Sequence, residues 1–183
     1  MKDIQEHILD FWFVQTQPKQ WFDKSDDFDA LITKNFSAAY ESAVKGVFDT
    51  WTQTAEGALA LIILLDQMPR NMFRGTPKAF ASDDKALTLA KNAVSEGFDK
   101  SFPAQKRRFF YLPYEHSEDL SDQKRCVDLF EAIKEEDQMG YDYALRHLEV
   151  IQNYGRFPHR NQILGRDNTP KEQEYLARPD AGF

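Results

Sequence analysis

The sequence predicts an all-α fold, a single-domain antiparallel helical array over residues 1–183. Three observations carry that expectation. Apolar residues recur at helical spacing along most of the chain, no segment sustains a period-two alternation, and caps, glycines and prolines divide the pattern into helices of ordinary length. No low-complexity linker interrupts it, and the chain is long enough to bury one substantial core.

Asp3 to Val14 places Ile4, Ile8, Phe11 and Trp12 on one face, and Pro18 opens a short turn before Trp21 and Phe22. Ser25 is a predicted N-cap, followed by Asp26 and Asp27 where carboxylates suit the helix dipole. The stripe behind it is Phe28, Ile32, Phe36, Ala39, Ala43 and Val47, with Gly46 marking the helix end. A third helix, from about Ala55 to Gln67, is apolar on nearly every side between Ala58 and Leu65, the pattern of a central helix. Pro69 lacks an amide proton and disfavours helical geometry at Met68, so this helix is expected to stop there.

Gly75-Thr76-Pro77 is turn chemistry, and Ser82 with Asp83 and Asp84 starts a helix with Ala86, Leu89, Ala90 and Ala93 inward, ending before Gly97. Pro103 opens a basic-aromatic segment, Gln105 to Tyr111, which Pro113 is expected to terminate. Lys106, Arg107 and Arg108 there read as a solvated basic turn over buried aromatics, in preference to a site for single-stranded RNA. Ser117 and Glu118 begin a helix to about Glu136, with Leu120, Val127, Phe130 and Ile133 inward. The next runs from Tyr141 to about Tyr154, with Tyr141, Ala144, Leu145, Leu148 and Ile151 inward and Gly155 as a left-handed cap. Thr169-Pro170-Lys171-Glu172 caps a short terminal helix.

The formal charge is −7 and the sequence pI about 5.1, so nucleic acid and anionic lipid are not expected partners, although a local basic site is compatible with that balance. The longest apolar run, Ala58 to Leu65, is far below the roughly 20 residues of a membrane span, and the first residues do not form a secretory signal. A cytoplasmic protein without a membrane anchor is the expectation. Cys126, the single cysteine, lies in an apolar stripe and reads as packing, not as a nucleophile.

Polar residues gather at the helix ends. Asp66, Gln67, Arg70, Asn71 and Arg74 follow the most apolar helix, and Arg156, His159, Arg160, Asn161 and Arg166 follow a later one. Both groups place Arg-Asn just after a proline. If they meet, their forked donors suit a carboxylate or phosphate, with Asp66 and Gln67 orienting them from behind. Glu115-His116-Ser117-Glu118-Asp119 brings a histidine among carboxylates at a helix start.

The same residue types also cap helices and pair with one another, and His116, His147 or His159 can serve as satisfied structural histidines. No close-spaced ligand pair points to a metal and no motif points to a cofactor, so neither is expected. The expected ligand-binding set is Asp66, Gln67, Arg70, Asn71, Arg74, His116, Arg156, His159, Arg160 and Asn161, for a small acidic metabolite or a peptide carboxylate. Two alternatives stand beside it. One is a hydrolase or phosphoryl-transfer enzyme using His116 or His159; the other is a scaffold presenting Trp12, Trp21 and Trp51 to protein partners.

Taken together, Ile8–Phe13, Leu65–Gly75, Glu115–Asp119 and Gly155–Asn161 resemble the bacterial family known as domain of unknown function 924, over nearly the whole chain. The resemblance implies an all-helical fold similar to the tetratricopeptide-repeat-like superfamily, and it implies no activity. The sequence itself departs from true repeats of that kind, having no self-similarity at about 34 residues.

Overall fold

The computed structural model describes residues 3–179 and 181–182, and among them every regular element is helical. Helix α1 (Ile4–Asp10) continues into one wider turn with i→i+5 bonding at Phe11–Gln15, burying Ile8, Phe11 and Trp12. After a tight turn at Pro18–Trp21, α2 (Asp26–Val44) starts where the Ser25 hydroxyl accepts the Phe28 N–H. Its predicted stripe is buried from Phe28 to Ala43, but Val47 lies beyond the helix end and is exposed.

Helix α3 (Ala55–Ile62) is capped by the Thr54 hydroxyl, which accepts the Gly57 N–H, and is buried along all of Gly57–Ile62. The expected stop at Pro69 is corrected. From Ile63 to Gln67 the helix widens to i→i+5 bonding and resumes as α4 (Met68–Met72), with Pro69 in its first turn, where a missing N–H is tolerated. Pro69 leaves the Leu65 carbonyl without an ordinary helical donor, and the Ser82 hydroxyl donates to that carbonyl at 2.6 Å.

Helix α5 (Asp83–Ser95) packs its alanines Ala86, Ala90 and Ala93 inward against α3. Helix α6 (Ala104–Glu115) overturns two expectations. Pro113 does not end it, because the proline falls in the last turn and the His116 N–H bonds the Leu112 carbonyl beyond it at 2.9 Å. Nor is the basic run a solvated turn, since Arg108 is buried beside Phe109, Phe110 and Tyr111.

Helix α7 (Leu120–Glu131) begins at Asp119, whose carboxylate accepts the Ser121 and Asp122 N–H groups, so the start lies later and the end earlier than expected. Helix α8 (Gln138–Tyr154) ends in left-handed Gly155 at φ 68°, as the sequence predicts. Leu120 and Leu145, expected inward, are exposed, while Cys126 and His147 face inward. Helix α9 (Pro170–Leu176) opens with the predicted Thr169 cap, reinforced by Glu172.

The bundle wraps α1, α2, α5 and α6 around α3 and its continuation, and α7 joins α6 to α8. A second, smaller cluster of Val150, Ile151, Phe157 and Tyr175 seats the C-terminal elements. Trp12 and Trp21 are buried and their rings stack at 6.4 Å, so neither is the exposed partner surface the sequence suggested; Trp51 stacks on Phe48 at 4.2 Å. No helix of the described residues is long and apolar enough to cross a membrane.

Candidate functional site

One cavity of about 450 Å³ opens between α4, α6, α8 and the turns that follow α1, α4 and α8. Its size is that of a small-molecule site. Of the residues singled out in the sequence, Gln67, Arg70, Asn71, Arg74, His116, His159 and Arg160 line it. Asp66 is fully buried behind them. The two Arg-Asn segments therefore meet, although not with all their members.

Arg156 and Asn161 do not line the cavity. Arg156 donates from Nε and Nη2 to the two oxygens of Glu172, at 2.7 and 2.9 Å, and from Nη2 to the Asp167 carbonyl at 2.8 Å. Asn161 is buried and donates to Asn168 at 2.7 Å. Arg166 likewise pairs with Glu118, which also accepts the Phe157 N–H. These contacts fasten the turn after α8 to its neighbours and leave Arg160 and His159 for the cavity.

The arginines in the wall are not equivalent. Arg70 makes two hydrogen bonds to Asp83, at 3.0 and 2.9 Å, and caps the Asp66 carbonyl. Arg74 grips Asp29 with two nitrogens while Asn71 donates to the same carboxylate at 2.8 Å. Arg108 is held by both oxygens of Asp137. Arg160 has no carboxylate of its own: Nη1 donates to the His116 carbonyl at 3.1 Å and lies 3.7 Å from Asp83, while its buried Nε has no partner. Its guanidinium lies between the rings of Phe80 and Phe157, at 4.8 and 4.6 Å. Burial and the nearby Arg70 charge push its pKa down to about 10.

Asp66 comes from the wide turn after α3, a geometry often found where a helix has been adapted to a site. Its Oδ1 lies 2.8 Å from His116 Nδ1, and Gln67 donates to Oδ2. Burial works to raise its pKa, but His116, Arg70 and Gln67 outweigh that and hold it at about 2. Burial, then Arg70, push His116 below its ordinary value. The pair is thus a carboxylate accepting from a neutral imidazole's Nδ1–H, which leaves Nε2 with its lone pair, on a residue that lines the cavity.

Among the wall residues that sequence reasoning left out of the binding set are Arg108, Glu115 and His147. Glu115 is buried, with Oε1 3.5 Å from His147 Nδ1 and Oε2 without a hydrogen bond, and burial raises its pKa to about 8. It carries a proton at neutral pH. His147 Nδ1 also lies 2.8 Å from the Tyr143 carbonyl in its own helix, and burial holds its pKa well below the ordinary value. Burial likewise lowers His159 to about 4. The available signal was the spacing of Arg108, Leu112 and Glu115 at i, i+4 and i+7, hidden by reading Pro113 as a stop. Among the described residues no three His, Cys, Asp or Glu side chains are grouped as a metal ion requires.

A neutral acid, a neutral imidazole with a free lone pair and a guanidinium that no carboxylate grips through two nitrogens, around one cavity, can bind an anion and move a proton on it. A family model described as bacterial protein of unknown function (DUF924) matches residues 8–180. The solved structure of a protein of unknown function, ATU0120 from Agrobacterium tumefaciens, is 40% identical, with a TM-score of 0.90 over 95% of this chain and 97% of that one. No curated protein matches.

Proposed function

Because this chain belongs to the bacterial family of unknown function DUF924, we propose a function from its own cavity: it binds a small organic anion, with Arg160 as the receptor. The observation that carries this reading is the buried Arg160 guanidinium in the cavity wall, with an unpartnered Nε and no carboxylate of its own. A buried cation in that condition is costly until an anion reaches it. Arg70 and Asn71, fixed by Asp83 and Asp29, border the same end and lose little freedom on binding.

Thermal unfolding against acetate, citrate, inorganic phosphate and an uncharged amide tests this, with Arg160→Gln as the comparison protein. An anion at about 100 times its dissociation constant adds roughly 2.7 kcal/mol of stability to wild type. The expected result is a shift for at least one anion that disappears in the variant. A folded variant that responds as wild type does sinks the reading.

The Asp66–His116 pair favours a second reading, an enzyme that uses His116 Nε2 as a general base on the bound anion. Under it, His116 is the histidine most reactive toward diethyl pyrocarbonate, and a bound anion shields it. Reaction no faster than at His7 counts against this reading while leaving the first intact.

A further inference from the structure

The cavity has a direction. Arg108, Leu112 and Glu115 lie on one face of α6 and all line it, with His116 directly after. At a rise of 1.5 Å per residue, Arg108 to Glu115 covers about 10 Å, so the cavity runs along the helix between two unlike ends. At the His116 end, Arg70 and Arg160 both approach the Phe80 ring, at 5.7 and 4.8 Å. At the Arg108 end, the guanidinium sits 5.3 Å from the Phe22 ring, with Phe130 and Met139 also in the wall. Phe22 and Met139 are each about half exposed, at 51% and 54%, so hydrocarbon laid against them removes apolar surface from water.

Charge distinguishes the ends further. Arg70, Arg74 and Arg108 each hold a carboxylate through two nitrogens, from Asp83, Asp29 and Asp137. Arg160 only shares Asp83, at 3.7 Å. Arg160, at the His116 end, is therefore the arginine of the wall that no carboxylate grips through two nitrogens, and its Nε has no partner. One such guanidinium offers one set of forked donors, which a single carboxylate fills.

Resting on the anion reading above, we infer that the ligand is an amphipathic monocarboxylate. Its carboxylate meets Arg160, and its aliphatic or phenyl-bearing body, roughly six to nine heavy atoms long, lies over Leu112 toward Phe22, Phe130 and Met139. A shorter acid satisfies the arginine and leaves the apolar end empty.

Isothermal titration of the full-length chain with acetate, hexanoate, 3-phenylpropanoate, hexan-1-ol and inorganic phosphate, at fixed ionic strength, tests the inference. Each buried methylene strengthens binding about fourfold, so hexanoate and 3-phenylpropanoate are expected to bind at least tenfold more tightly than acetate. Hexan-1-ol is expected to bind at least tenfold more weakly than hexanoate. Leu112→Gln reduces the advantage of the longer acids severalfold, and Met139→Ser, at a half-exposed position, carries the same expectation should the first variant fail to fold.

If the longer acids bind no more tightly than acetate while Arg160→Gln abolishes acetate binding, the apolar body is overturned and the anion reading stands. Phosphate binding more tightly than every carboxylate overturns the choice of a carboxylate. Hexan-1-ol matching hexanoate, or hexanoate binding undiminished in Arg160→Gln, overturns the anion reading itself. Absence of binding by all five probes overturns both.

Discussion

His116 Nδ1 lies 2.8 Å from Asp66 Oδ1, joining the wide turn after α3 to the last turn of α6 across 50 residues of sequence. The contact fixes one imidazole nitrogen and frees the other, and it gives a buried carboxylate the partner it needs.

Asp66→Asn removes that charge while keeping the shape. Arg70 then loses a buried counter-charge and His116 its charged acceptor, and removing one partner of such a group costs roughly 3 kcal/mol. Because Asp66 raises the His116 pKa in the folded protein, the variant's His116 is expected to titrate still lower than in wild type. Urea unfolding and an NMR titration of the ring measure the two effects. A variant as stable as wild type, with an unchanged His116 titration, removes the pair from the account.

Glu115 contributes the opposite sign of pH dependence. Its pKa is near 4.5 when unfolded and about 8 when folded, so between those values the unfolded chain releases a proton that the folded chain keeps. Below about pH 4.5 both states hold it and nothing is lost; stability falls as pH rises toward 8. Glu115→Gln cannot ionise in either state, so its advantage over wild type grows through that window, to the order of 4 kcal/mol at pH 8. Unfolding free energies at pH 4.5, 6 and 8 check this, and a constant difference between the proteins at all three contradicts it. Asp66 acts at the other end of the scale: its lowered pKa stabilises the fold above about 3.8, and that contribution is lost as pH falls toward 2.

Ser82 was expected to begin a helix, and its hydroxyl is used elsewhere. It donates to the Leu65 carbonyl, which Pro69 leaves without the ordinary i→i+4 donor, and both groups are buried. Ser82→Ala leaves that carbonyl dry and unsatisfied, at a cost of about 1–3 kcal/mol. The loss is expected in the denaturation midpoint, with the helical circular dichroism of the folded protein unchanged. A cost below about 0.5 kcal/mol means that the carbonyl has found another partner.

The fold class was legible because it rests on local pattern. The stripes of α2 and α5, the caps at Ser25, Thr169 and Gly155, and the apolar run of α3 each need only their own few residues. What the pattern hid is non-local. Pro69 reads as a stop until Ser82 supplies the donor that the widened turn lacks, and Pro113 reads as a stop although the helix closes past it. Arg108 reads as solvated until Asp137, 29 positions away, is placed against it. The site divides in the same way. Both Arg-Asn segments could be read as converging on residue type alone, but which arginine already holds a carboxylate is a property of the assembled fold.

Arg156 and Arg160 put that distinction to a direct test, since the sequence placed both in the binding set. Arg156 is held by Glu172 and the Asp167 carbonyl on the far side of the turn from the cavity. Removing it as Arg156→Ala takes a counter-charge from Glu172, whose lowered pKa depends first on that arginine, and loosens the seat of α9. The expected outcome is a lower melting temperature with anion affinity unchanged. Arg160→Gln gives the reverse, because no carboxylate grips its buried guanidinium through two nitrogens: affinity falls at least tenfold while the melting temperature changes less than in Arg156→Ala. Parallel titrations with hexanoate and parallel melts of the two variants separate the roles. Equal losses of affinity in both would place the anion at the Glu172 side of the turn and move the binding site away from the cavity.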